Sequence, residues 1–317
     1  MNLSPAARPT FYFIGVTTAG SSIMKVFPKW AEYLGLGNIA IAGIDLPPHA
    51  PAASYRAVVD FLRYDPLSRG ALVTTHKLDL FAACVDMFDE IDPHARLMAE
   101  TSCLSKRGDR FRCHAKDPIS SGLSLDGFLP ANHFASTGAA LFSMGAGGST
   151  IAITWHLMHQ RRGADRPSRI IVSNRSQKRL DHIRAIHERI GTDIACDYIL
   201  APEPWDNDQV LSALPPGSLV INATGLGKDA PGSPLTDQAE FPEAAVIWEL
   251  NYRGDLVFLR QAQAQQDARH LQVEDGWTYF IHGWTQVIAE VFDIDIAPSG
   301  PQFETLSQIA AEAAGRK

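Results

Sequence analysis

The residues best suited to chemistry are the run Ser143-Met144-Gly145-Ala146-Gly147-Gly148-Ser149 and, one apolar run later, Ser173-Asn174-Arg175-Ser176. The first lies between a strand-like apolar run and a helix-like run over 151–159. The second closes the apolar run 169–172. Strand, glycine turn, helix, strand is the unit that holds a dinucleotide. Glycines let the backbone approach a pyrophosphate, and the N–H groups of the helix start meet its charge. The end of the second strand reads the adenosine ribose. An acid there suits the ribose hydroxyls of NAD, whereas this chain offers Arg175, with Lys178 and Arg179 behind it. A cation suits a 2′-phosphate, so the expected cofactor is NADP(H). Gly145, Ala146, Gly147, Gly148, Asn174, Arg175, Ser176 and Arg179 are its candidate contacts. Either signal alone has an ordinary alternative, a nucleotide-free α/β turn or a solvated helix start. Together they favour the cofactor.

A turn of this kind needs strands and helices in alternation. Strands are expected over 10–16, 39–46 and 70–74, helices over 23–34, 55–64 and 78–88, and a hairpin over 101–105 and 110–114 around Arg107-Gly108-Asp109. After Asp117 the pattern restarts. A helix is expected over 124–129, a strand over 139–144, helices over 177–190 and 256–268, and strands over 193–200, 219–224 and 246–250. A last helix is expected over 282–292. The alternation implies an α/β fold with mostly parallel, helix-covered sheets. At 317 residues the chain exceeds the size at which single cores stop growing, so two domains are expected.

Hydrophobic residues make up 45% of the chain and the formal net charge is −7, with no block of like charges. Nucleic acid and anionic membranes are therefore poor partners. No apolar run approaches the ~20 residues needed to span a bilayer, and the first nine residues lack the apolar core of a signal peptide. A cytoplasmic protein, monomeric or homodimeric, is expected. The four cysteines form no CxxC pair and no zinc spacing. They read as reduced thiols, and no metal site is expected.

The order of motifs resembles the shikimate and quinate dehydrogenase family over nearly the whole chain. Ile14-Gly15 is followed by a serine loop with Ser21 and Ser22. Leu72-Val73-Thr74 and then Lys77 match the family's Asn-Val-Thr and lysine, and Lys116-Asp117 stands where the family has Thr-Asp. Gly145-Ala146-Gly147-Gly148 and Asn174-Arg175-Ser176 match its nucleotide motifs. Ile221-Asn222-Ala223-Thr224 is present unchanged, and Tyr252 matches a tyrosine after the next strand. The resemblance implies two α/β domains with a cleft between them. Residues 1–117, completed by C-terminal helices from 276–317, would form the substrate domain, and 118–275 a Rossmann-type NADP domain. It further implies oxidation of a ring hydroxyl to a ketone, with Lys77 and Asp117 flanking that hydroxyl and Asn222, Ala223 and Thr224 joining the cofactor contacts. Chemically, a lysine with a lowered pKa can accept the hydroxyl proton, and a carboxylate beside it can orient both. Taken singly, Lys77 is an ordinary strand-end lysine and Asp117 an ordinary helix cap.

The departures fall on the substrate contacts. The family's second loop serine stands at Ile23, its pocket asparagine at Ser102, its threonine at Lys116 and its last-motif glutamine at Gly283. Ile23, Tyr279 and Trp284 suggest a less polar pocket. Ser21, Ser22, Ser102, Lys116, Tyr252 and Tyr279 are the candidate substrate contacts, with Lys116 either meeting a carboxylate or tied up in an ion pair. The expected substrate is a small cyclic hydroxy-acid other than shikimate. Two alternatives stand beside it: a shikimate or quinate dehydrogenase with a rebuilt pocket, and a non-catalytic NADP(H)-binding regulatory module.

Overall fold

The structure, a computed structural model, describes residues 3–228 and 230–316. The chain divides into two compact units, Met1–Asp117 with Ile281–Lys317, and Pro118–Phe280.

The first unit is built on β1 (Thr10–Gly15), β2 (Ala40–Asp45), β3 (Ser68–Val73), β4 (Glu90–Ile91), β5 (Cys103–Arg107) and β6 (Arg110–His114), in the order β2-β1-β3-β5-β6-β4. β1 is buried at every position, as expected of a parallel strand covered on both faces. It pairs in parallel with β2 and β3. β5 runs antiparallel to both β3 and β6, and β4 runs parallel to β6. Two antiparallel steps make β6 parallel to β3. The carboxyl ends of β1, β3, β4 and β6 and the amino end of β5 therefore share one edge of the sheet. One face is filled by Tyr55, Val58 and Leu62 of helix Ala52–Tyr64 against Ile14, Val73 and Leu104. Helix Pro301–Ala314 returns to helix Ile23–Tyr33, where the Trp30 indole N–H donates to the Leu306 carbonyl at 2.8 Å.

The second unit holds β7 (Leu141–Met144), β8 (Arg169–Asn174), β9 (Ala195–Leu200), β10 (Leu219–Asn222), β11 (Val246–Glu249) and β12 (Gln272–Glu274). All pair in parallel, in the order β12-β11-β10-β7-β8-β9. Counted from its own first strand this is the doubly wound order 3-2-1-4-5-6, which reverses between β7 and β10. Ligands of such sheets bind at the carboxyl ends beside that reversal. Phe142, Val220, Ile247 and Phe258 are among its core residues.

Several elements differ from expectation. The helix after β3 begins at Lys77 and ends at Cys84, and the helix expected over 124–129 already begins at Asp117. The helix expected over 282–292 runs Trp277–Phe292. Helices Pro93–Met98 and Pro204–Ser212 were not expected at all, and helix Pro301–Ala314 was expected only as one of the C-terminal helices that the resemblance implied, without bounds. The four cysteines are free. Among the described residues no His, Cys, Asp or Glu cluster could hold a metal ion, and no helix is long and apolar enough to cross a membrane.

Candidate active site

The shared edge of the first sheet gathers the candidate chemistry. Ser21 and Ser22 follow β1, Lys77 follows β3 and Asp117 follows β6. Lys77 and Asp117 are each the first residue of a helix. Lys77 Nζ donates a hydrogen bond to Asp117 Oδ2, and the two side chains are only 18% and 8% exposed, so water screens the pair little. The Thr101 N–H donates to the Lys77 carbonyl at 3.2 Å and ties the lysine to the segment entering β5.

The lysine does not behave as expected. Burial pulls its pKa down, but the carboxyls of Asp117 and Glu100 outweigh burial and raise it. Nζ therefore keeps its proton at neutral pH. Glu100 lies on no motif and sequence reasoning missed it. It is fully buried, and neither carboxyl oxygen has a hydrogen-bond partner among the described residues.

The expected substrate contacts separate into two groups. Ser21 is buried and Ser22 half-buried, and neither hydroxyl is engaged among the described residues; Ser22 stands at a helix N-cap without making a side-chain cap bond. Ser102 and Lys116 are brought together but turned on their own surroundings. Ser102 Oγ accepts from the Lys116 N–H at 2.7 Å, and Lys116 Nζ donates to Glu290 Oε2 at 2.7 Å. Glu290 also meets Arg112 at 3.2 Å and His114 at 3.3 Å. Burial pushes that carboxyl up, yet the Lys116 hydrogen bond and its cationic neighbours Lys116 and Arg112 hold it below the usual range. Ile23 is fully buried, and Trp284 packs edge-on against Phe11 and Phe13 at 6.0 and 5.0 Å. Both belong to the core rather than to a less polar pocket.

In the second unit the glycine turn stands at the reversal point. Gly145 has φ 109°, and a Cβ there would lie 2.6 Å from the Ala223 carbonyl oxygen, so the turn can press on the end of β10 only as glycine. Thr150 Oγ1 donates to the Gly145 carbonyl at 2.7 Å and anchors it; Ala146 is buried. Gly147 caps helix Gly148–Met158, and nothing lies within 4 Å of where its Cβ would be. That open front on a helix start fits a pyrophosphate. After β8 the Ser176 N–H donates to Asn174 Oδ1 at 2.8 Å, which leaves Arg175 exposed at the tip of the turn and Arg179 half-buried on the helix behind. Neither arginine takes a salt bridge among the described residues. Both cations thus stand where a ribose phosphate would be read.

Three other expected contacts have different surroundings. Asn222 turns its amide inward: Nδ2 donates to Glu249 Oε2 at 2.7 Å, and Oδ1 accepts from the N–H and Oγ1 of Thr224 at 3.1 and 2.7 Å. It shapes the turn on which Ala223 and Thr224 stand. The Tyr252 ring packs on Phe280 at 4.6 Å and Trp277 at 5.6 Å. Tyr279 Oη donates to Ser149 Oγ at 3.4 Å, beside the first turn of the glycine-turn helix. Tyr252 and Tyr279 both lie in the second unit.

No protein-family model matches the chain. The shikimate dehydrogenase (NADP(+)) of Caulobacter vibrioides is 30% identical over 230 residues, covering 71% of this chain and 73% of the relative. That of Sphingopyxis alaskensis is 25% identical over 310 residues, covering 97% and 99%. Among solved structures, shikimate 5-dehydrogenase from Thermus thermophilus in complex with NADP(H) and shikimate has a TM-score of 0.66 at 20% identity, covering 96% and 99%. That last likeness is one of fold.

Proposed function

This chain belongs to the shikimate dehydrogenase family, and we propose that it is an NADP(H)-dependent dehydrogenase that interconverts a ring hydroxyl and a ketone on a small cyclic hydroxy-acid other than shikimate or quinate. The observation that carries the reading is the Lys77–Asp117 pair at one sheet edge. The chain also holds a glycine turn at the reversal point of a doubly wound sheet. Gly145, Ala146, Gly147 and Gly148 would hold the pyrophosphate, and Arg175 and Arg179 the 2′-phosphate. The cofactor held there would supply the hydride acceptor or donor for the carbinol carbon.

Lys77 handles the proton. Its ammonium, held by Asp117, is ready at neutral pH to donate from Nζ to a carbonyl oxygen. In the oxidative direction the hydroxyl proton returns to Nζ once that amine is neutral, and Asp117 keeps the amine in place. Ser21 and Ser22, whose hydroxyls are unengaged among the described residues, would bond the substrate carboxylate. Ser102 and Lys116 are occupied by each other and by Glu290. Few polar groups remain to match the several hydroxyls of shikimate, and a buried hydroxyl without a partner costs ~1–3 kcal/mol.

Steady-state kinetics with NADP⁺ and shikimate or quinate test the substrate proposal. Both are expected to be poor substrates, and kcat/KM above ~10⁴ M⁻¹s⁻¹ with either overturns it. The names of the curated relatives favour a second reading, shikimate dehydrogenase itself, and the same measurement decides between them.

A further inference from the structure

Glu100 is a third ionisable group beside the Lys77–Asp117 pair. It follows Ala99, the left-handed residue that ends helix Pro93–Met98, and stands on the run-in to β5. The topology places that run-in at the same edge as the ends of β3 and β6. Backbone bonds hold it there: Glu100 N–H to the Ala95 carbonyl at 3.3 Å, Thr101 N–H to the Lys77 carbonyl at 3.2 Å, and Ser102 N–H to the His114 carbonyl at 3.0 Å. The side chain is fully buried with both oxygens unpartnered among the described residues. Packing alone does not account for it, because an apolar side chain would fill the same space without a desolvation cost.

The titratable groups that face Glu100 are Lys77 after β3, Asp117 after β6, Asp92 at the cap of helix Pro93–Met98, and Cys113 on β6. Burial and the Asp117 and Asp92 carboxylates push the acid up, Lys77 draws it down, and the balance lies at about 8. Glu100 in turn is one of the two carboxyls that keep Lys77 protonated.

We propose that Glu100 is a positioning residue for the Lys77–Asp117 pair: a buried carboxyl, unpartnered among the described residues, that stands at the same sheet edge and strengthens the hold on the Lys77 proton. It acts through Lys77 and widens the pH range over which Nζ is a proton donor. The proposal rests on the reading of Lys77 as the residue that moves the proton.

Competitive acetylation of Lys77 across pH 6–11, read by peptide mass spectrometry on the full chain, tests it. In Glu100→Gln the labelling midpoint of Lys77 is expected to fall by about one pH unit, because a nearby negative charge is lost. In Glu100→Asp, which keeps a carboxylate, the midpoint is expected to stay near wild type. An unchanged midpoint in folded Glu100→Gln overturns the proposal. Should that variant not fold, a carboxyl-¹³C titration of the otherwise wild-type Glu249→Gln chain is expected to show a glutamate titrating above pH 7, and its absence overturns the proposal equally. Neither readout uses a substrate. Failure of the functional reading would appear separately, as the lack of any turnover that Lys77→Met abolishes.

Discussion

The two units place their candidate chemistry in opposite settings. In the second unit the contacts are open: Arg175 stands exposed at the tip of a side-chain-held turn, and Gly147 faces free space. In the first unit they are shielded and coupled: Lys77, Asp117 and Glu100 share one edge, with the Lys116–Glu290 pair also in that unit. Exposed cations act on whatever binds them and barely on the fold. Shielded charges act on each other, so a change in one resets the protonation of the next. Substitutions in the first unit should therefore move rate and pH dependence, and those in the second should move cofactor affinity.

The sharpest break of that contrast is Lys77→Met. Turnover is expected to fall by ~10²–10⁴-fold, the usual cost of losing an acid–base group, while NADPH affinity by fluorescence titration stays unchanged. The melting temperature should drop, because the shielded Asp117 loses the ammonium that balances its charge. Turnover within a few-fold of wild type would remove Lys77 from the chemistry. Next in size is Gly145→Ala. Its backbone has φ 109° and the new Cβ meets the Ala223 carbonyl, so stability is expected to fall by at least ~1–3 kcal/mol and NADPH binding with it. An unchanged denaturation midpoint would show that the turn does not need glycine.

The nucleotide fold is the more legible of the two in sequence, since its glycines and apolar runs fall at the spacings that strand and helix geometry impose. What escaped has specific causes. Helices Pro93–Met98 and Pro204–Ser212, and helix Pro301–Ala314, whose bounds were not expected, all open with proline at their first turn. Proline read as a break is, at that position, a start, because its missing N–H is one that no helix bonds internally. Asp92, accepting from the Ala95 N–H at 2.6 Å, is the cap that could have signalled the first of them. β4 and β12, of two and three residues, are too short to carry an alternation. At the candidate site Lys77 and Asp117 could be named because they sit on motifs. The raised pKa of Lys77 could not be foreseen, since it depends on how closely the fold brings Asp117 to it and then on Glu100, which is near in space and belongs to no pattern. The inward turn of Asn222 and the mutual engagement of Ser102 and Lys116 are likewise tertiary facts that no spacing encodes.

A smaller effect is expected from Arg175→Ala. Hydrogen bonds to charged groups contribute ~1.5–3 kcal/mol, so NADPH affinity should weaken about tenfold to a hundredfold. NADH affinity, turnover at saturating cofactor and the melting temperature should stay as they are, because the side chain is exposed and carries nothing in the fold. Equal weakening of NADH binding would show that Arg175 supports the turn rather than the phosphate.

The last effect tests whether the contrast between the units is complete, because the second unit has shielded acids of its own. Glu249 is fully buried at the end of β11, where it accepts from Asn222 Nδ2 at 2.7 Å and from the Asn251 N–H at 2.8 Å. Burial pushes its carboxyl up to about 7 even though those donors pull the other way. Between the ordinary value of 4.5 and about 7, the folded chain keeps a proton that the unfolded chain has released. The stability that this proton contributes is complete below the lower value and is lost as pH rises through the upper one. One proton limits the slope to about 1.4 kcal/mol per pH unit. Guanidinium denaturation at several pH values should show wild type losing stability faster than Glu249→Gln between pH 5 and 7. Above pH 7 the two should run parallel, both still falling toward pH 8 through Glu100, whose carboxyl is pushed up to about 8. Parallel curves over the whole range would mean that Asn222 and Asn251 satisfy an ionised Glu249 at the end of β11.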